Sequence, residues 1–146
     1  MNTIGGRKWN AGCISSNRLP SQSKGSISYR LSTWAQFSAF GFSSDSEYSS
    51  IDGINYELFT MQRHSETFQI DIWESGKNRN RPFNAELADV IHIQKEENGV
   101  IKYYRNEKEI YKSNFPVTKE LFIATSINTG ELDPLTIKGS WMVDLE

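Results

Sequence analysis

Phe68-Gln69-Ile70-Asp71-Ile72-Trp73 alternates without a break. Successive side chains of a strand point to opposite faces, so Phe68, Ile70 and Ile72 share one face and Gln69, Asp71 and Trp73 the other. A helix would place its apolar residues three and four apart, and this run does not. One apolar face and one polar face is the pattern of an antiparallel sheet packed on a core from one side.

The pattern repeats outward from this stretch. Upstream, Ser26-Ile27-Ser28-Tyr29-Arg30-Leu31 puts Ile27, Tyr29 and Leu31 on one face, and Ile54-Asn55-Tyr56-Glu57-Leu58-Phe59 alternates again. Phe37-Ser38-Ala39-Phe40-Gly41-Phe42 is an aromatic strand whose Gly41 marks a bulge or a close backbone approach. Ser43 to Ser50 reads as a loop. Downstream, Glu74-Ser75-Gly76 turns the chain before Asp89-Val90-Ile91-His92-Ile93-Gln94. Glu97-Asn98-Gly99 is a hairpin signal ahead of Val100 to Arg105. Asn106-Glu107-Lys108-Glu109 is a second turn, leading into Ile110-Tyr111-Lys112. Leu121 to Ile127, Leu135 to Lys138 and Trp141 to Val143 complete the strands. Ala85-Glu86-Leu87-Ala88 is read as one helical turn, and no longer window keeps a helical period. Short strands at this spacing imply an all-β sandwich or barrel.

Composition narrows the function classes. The 146 residues suit one domain with one core, residues 1–146. Aromatic residues make up 12% of the chain, too many for a disordered tail. No apolar stretch approaches the roughly 20 residues of a membrane helix, so no membrane insertion is expected. Sixteen basic against 18 acidic residues give a net charge of −2, without the basic excess of a nucleic-acid binder. The densest basic run, Lys77-Asn78-Arg79-Asn80-Arg81, reads as a solvated loop tip. Cys13 is the only cysteine, which excludes an internal disulfide and suits a small buried thiol. Met1-Asn2-Thr3-Ile4-Gly5-Gly6 carries no secretory signal.

The chemistry-bearing feature is aromatic. Sugars offer flat apolar faces ringed by hydroxyls, and an exposed Trp beside carboxylates and amides meets both. Trp73 has that setting, with Asp71 and Gln69 in the same phase. Arg30, Asn55 and Glu57 share the outward phase on their own strands, as do Lys102 and Tyr104 opposite Ile101 and Tyr103. The competing reading packs Trp73 under a loop with its N–H on a backbone carbonyl. Trp9, Trp34 and Trp141 are read as core or sheet-edge residues.

Two segments carry a family resemblance. One is Trp9-Asn10-Ala11-Gly12-Cys13-Ile14-Ser15-Ser16 with Leu19-Pro20 and Gly25-Ser26-Ile27-Ser28-Tyr29. The other is Asp89-Val90-Ile91-His92-Ile93, Gly99-Val100-Ile101-Lys102-Tyr103-Tyr104-Arg105-Asn106 and Ile110-Tyr111-Lys112-Ser113. Together they resemble the concanavalin A-like jelly-roll domains of bacterial surface and secreted proteins. Ala88-Asp89 stands where that pattern has Gly-Asp, and Asn106-Glu107 where it has Asn-Gly. The resemblance implies a jelly roll of two antiparallel sheets and an extracellular or cell-surface place. It also implies a non-catalytic carbohydrate-binding or adhesive role, with a glycan or cell-surface polysaccharide on a concave sheet face. Trp73 would stack on the sugar, with Asp71, Gln69, Glu57, Asn55 and Arg30 as polar partners.

Other readings stay open. The hairpin also resembles SPRY domains, which implies a protein or peptide partner and an apolar patch near Phe40, Phe42 and Tyr48. A structural spacer of a larger surface protein implies a plain surface. Gln69-Ile70-Asp71-Ile72-Trp73-Glu74 is similar to the E-x-D-x-x-E strand of laminarinase-type glycosidases, with Gln69 where their nucleophile stands. An amide cannot form the glycosyl ester, so a divergent glycosidase would rest on Asp71 with Glu74, or with Glu57. No cofactor is implied. Asp45, Glu47 and Asp52 are the candidates for a calcium ion.

Overall fold

The computed structural model describes residues 11–32, 37–44, 54–129 and 135–143. The strands are β1 (Ala11–Leu19), β2 (Gly25–Arg30), β3 (Phe37–Ser43), β4 (Tyr56–His64), β5 (Thr67–Glu74), β6 (Lys77–Asn78) and β7 (Phe83–Glu86). They continue as β8 (Val90–Lys95), β9 (Ile101–Arg105), β10 (Lys108–Lys112), β11 (Leu121–Thr129), β12 (Thr136–Gly139) and β13 (Met142–Val143). The first sheet has eight strands in the order β13-β1-β11-β3-β4-β5-β6, with β7 also on β5. The second has five, in the order β10-β9-β8-β2-β12. Every ladder is antiparallel. The fold is a two-sheet jelly-roll sandwich. Among the described residues there is no helix, and so none that could cross a membrane.

The alternation sets the core. Phe68, Ile70 and Ile72 of β5 meet Ile27, Tyr29, Ile91, Ile93, Ile101 and Tyr103 of the other sheet, all essentially inaccessible. Each such side chain contributes roughly 1.5–3 kcal/mol over leaving it in water. Trp141 joins this core from the β12–β13 connection, stacking on Phe42 at 6.0 Å and donating its indole N–H to the Lys138 carbonyl (2.9 Å). The helical turn expected at 85–88 is not there. Phe83–Glu86 is a strand on β5, and Ala88 follows at φ 72°.

Gly41 is a close approach. A Cβ there would overlap the Tyr56 carbonyl oxygen and stand 2.7 Å from the Glu57 Cα. Lys95 is the odd member of the core. It continues the inward phase of Ile91 and Ile93, and its side chain is fully buried. Its ammonium donates to the carbonyls of Pro20 (3.3 Å), Ser21 (2.8 Å) and Ser23 (2.7 Å) in the β1–β2 turn. Burial pulls its pKa below the ordinary lysine value.

Two departures from the jelly-roll pattern fall at strained backbone. Ala88 has φ 72°, and Asn106 and Glu107 have φ 48° and 71° in the β9–β10 turn. Two successive residues at positive φ form the hairpin turn that prefers Asn-Gly. An L side chain there costs on the order of 1 kcal/mol.

Asp89 fastens the passage from β7 into β8. Its carboxylate accepts from the Glu86 amide (2.8 Å), Arg105 Nε (2.8 Å) and Asn106 Nδ2 (2.8 Å), and Arg105 Nη2 stands 2.7 Å away. Burial alone would raise its pKa, but these bonds outweigh it and hold the group below the ordinary 3.8. A carboxylate depressed on folding stabilises above its unfolded pKa, and the contribution is lost as pH falls through the folded value. Asp89→Asn is therefore expected to cost about 1–2 kcal/mol at pH 7. The deficit should shrink below pH ~3.8. Urea titrations of both proteins at pH 7 and at acid pH check this, and equal deficits at both would contradict it.

Candidate functional site

The outer face of β5 is where the sequence reading placed its ligand. Gln69, Asp71 and Trp73 are half-buried there, opposite Phe68, Ile70 and Ile72. The register carries the face onto β4, where Met61 opposes Gln69, Phe59 opposes Asp71 and Glu57 opposes Trp73. On the far side Asn84 of β7 opposes Gln69, and Asn78 of β6 opposes Trp73.

Two features stand side by side on this face. The Phe59 and Trp73 rings stack, 6.2 Å apart and tilted 28°. Next to them runs a polar row, in which Arg63 donates to the Gln69 carbonyl oxygen (2.9 Å) and Gln69 donates to Asp71 Oδ1 (3.1 Å). The row fixes the Gln69 amide and leaves Asp71 one carboxylate oxygen without a described partner. Trp73 does not meet the competing expectation in full. Its indole N–H is buried, yet finds no hydrogen-bond partner among the described residues.

The structure separates three of the six expected ligand residues from this surface. Arg30 is exposed, but it ends β2 in the five-stranded sheet and so lies across the core from Trp73. Asn55 precedes β4 and clamps the chain, its Oδ1 accepting from the Ser44 amide (2.8 Å) and hydroxyl (3.2 Å). Glu57 has the expected outward phase beside Trp73, but only 1% of it is accessible, so it lies beneath the surface rather than on it. Phe59, Arg63 and Asn84 were not singled out from sequence. Only the β4–β5 and β5–β7 registers bring them to this face.

Glu74 takes the opposite direction. Its position in β5 shares the phase of Phe68, Ile70 and Ile72, and it is 1% accessible. Tyr103 donates to its Oε2 (2.9 Å), and Arg79 Nε lies 3.3 Å from Oε1. Burial first, then the Glu74 charge, pushes the Tyr103 hydroxyl well above its ordinary pKa and that of Tyr56 up to about 12. Asp71 and Glu74 thus stand on opposite faces of one strand, which removes them as a paired acid and nucleophile. Arg79, read as part of a loop tip, is instead partly buried, with its guanidinium 4.9 Å over the Phe115 ring.

Phe40 and Phe42 are fully buried, so they form no recognition patch. Tyr48, the calcium candidates Asp45, Glu47 and Asp52, and Trp9 and Trp34 lie outside the described residues, as does the Cys13 side chain. Among the described residues no three His, Cys, Asp or Glu side chains gather as a metal would need.

No protein-family profile matches the chain, and no curated protein is similar to it. Its fold is similar to that of several solved structures. The carbohydrate recognition domain of Emp47p is 11% identical over 89% of this chain and 76% of that one, with a TM-score of 0.46. CG-16, a homodimeric agglutinin from chicken liver, is 12% identical over 87% and 99%, with a TM-score of 0.48. The β-glucanase of Bacillus licheniformis is 12% identical over 85% and 65%, with a TM-score of 0.38. The likeness is one of strand arrangement alone.

Proposed function

We propose that the chain is a non-catalytic carbohydrate-binding module whose ligand lies across the outer face of β4, β5 and β7. The observation that carries this is the stacked Phe59–Trp73 pair beside the Arg63–Gln69–Asp71 row. An apolar sugar face packs on the indole, while ring hydroxyls bond to Asp71 and to Asn84 at the exposed edge. The absence of catalysis is read from the carboxylates. Glu74 is turned inward and held by Tyr103 and Arg79, and Gln69 is an amide. The ligand would be a glycan or a cell-surface polysaccharide.

A broad glycan array, with and without calcium, tests the reading. A hit on the intact chain should weaken about tenfold or more in Trp73→Ala, a loss of about 1.4 kcal/mol. Arg30→Ala should leave it unchanged, since Arg30 lies on the other sheet. A blank array with folded protein, or a hit that survives Trp73→Ala, would overturn the assignment.

A further inference from the structure

The opposite side of the sandwich carries a second polar surface. The outer face of the five-stranded sheet holds a trough of about 510 Å³ across β12, β2 and β8, closed at one end by the β9–β10 turn. Ser26 and Lys138 are a ladder pair at one end, with Gln94 opposite Ser26. Ser28 and His92 pair in the middle, and Glu107 stands at the other end. The His92 ring stacks on Tyr104 at 4.3 Å and 11°, which fixes its plane.

Of the polar side chains that line this trough, Asn106 is spent on the Val90 amide and Asp89, and most of the others have no partner among the described residues. Elsewhere on the same sheet side chains satisfy one another, as Lys102 does with Glu96 and Glu109. Gln94 gives its amide N–H to Glu96 (2.8 Å), which leaves its carbonyl oxygen open to the trough. The Ser26 and Ser28 hydroxyls, the His92 ring nitrogens, the Lys138 ammonium and the Glu107 carboxylate make no hydrogen bond or ion pair with any described residue. His92 is half-buried, and burial followed by the Lys138 charge holds its pKa below the ordinary value, against Glu107. At neutral pH its ring therefore offers one donor and one acceptor. Glu107 adds a second kind of observation. It occupies a φ of 71°, a conformation glycine would adopt freely, and it presents its carboxylate at the trough. Backbone strain retained at a surface turn points to a use for the side chain.

We infer that this trough binds an acidic oligosaccharide, with a sugar carboxylate on Lys138, ring hydroxyls on the serines, Gln94 and His92, and a vicinal diol on Glu107. A neutral glycan would leave Lys138 idle, and a simple anion would leave Glu107 repelling it. The site is separate from the Trp73 face and does not depend on that reading.

Hexagalacturonate and its fully methyl-esterified form are the probes, measured by calorimetry on the full chain with amide shifts to locate binding. The acid form should shift the amides of Ser26, Ser28, His92 and Lys138 and bind about tenfold more tightly than the ester. Lys138→Ala should abolish that difference, with little effect on the ester. Glu107→Gly should weaken both forms about tenfold while the protein melts at a higher temperature, so a lost fold cannot explain it. Trp73→Ala should change none of these values. The inference fails if the folded chain binds neither form. It fails too if the acid form binds and its affinity survives Lys138→Ala, or falls only in Trp73→Ala.

Discussion

Gly41→Ala is expected to yield no stable folded protein. The added methyl has nowhere to go, because the Tyr56 carbonyl and the Glu57 Cα are backbone atoms of the neighbouring strand. A flexible side chain would swing away, but a ladder partner cannot without breaking the β3–β4 register. That register places Phe40 opposite Leu58 and Phe42 opposite Tyr56, all four buried. A forced shift there disturbs the centre of the core, at a cost above about 4 kcal/mol. Domains of this size have roughly 5–15 kcal/mol in hand. Circular dichroism and a thermal melt decide the matter. A cooperative melt within a few degrees of the parent would show that the strands separate there more easily than their packing implies.

Lys95→Ala is the second large effect. The ammonium satisfies three carbonyls of the 20–23 turn from inside the sandwich. Removing it strands the Ser21 and Ser23 oxygens, leaves the Pro20 oxygen only its bond from the Ser23 amide (3.0 Å), and opens a cavity where the four-carbon stem lay. Losing charge-assisted bonds to these half-buried carbonyls, together with the cavity, costs about 3 kcal/mol. The melting temperature should fall by roughly 10 °C. Lys95→Met separates the two contributions, because it keeps most of the volume and none of the bonds. If Met restores the parent stability, packing alone holds the site and the three hydrogen bonds contribute little.

Much of the strand plan was legible because period-two alternation is strong where one face is buried. Ile27, Tyr29, Phe68, Ile70, Ile72, Ile101 and Tyr103 all turn inward as the pattern requires. The turn at Asn106-Glu107 was legible too, and its positive φ values are ones glycine adopts freely. What sequence could not supply was register and sheet membership. The β4–β5 pairing shifts between Gln62 and His64, and beyond that irregularity Leu58 meets Ile72 while Phe59 meets Asp71. Alternation alone cannot place that shift, so Phe59 was missed as the partner of Trp73. Arg30 shows the other limit. Its phase was right, but phase is defined within a sheet, and β2 belongs to the one Trp73 does not. Glu57 shows a third, since an outward direction does not guarantee contact with water.

The three-carbonyl seat of Lys95 also sets a chemical clock. An amine acylates only as a free base reached by reagent, and this one is closed in beneath the 20–23 turn. Lys24, Lys77, Lys108, Lys112, Lys119 and Lys138 all stand in water. The outer amines therefore react at their own pace, while the inner one waits for the turn to lift. Its rate of modification measures how often the β1–β2 end of the sandwich opens, without a denaturant.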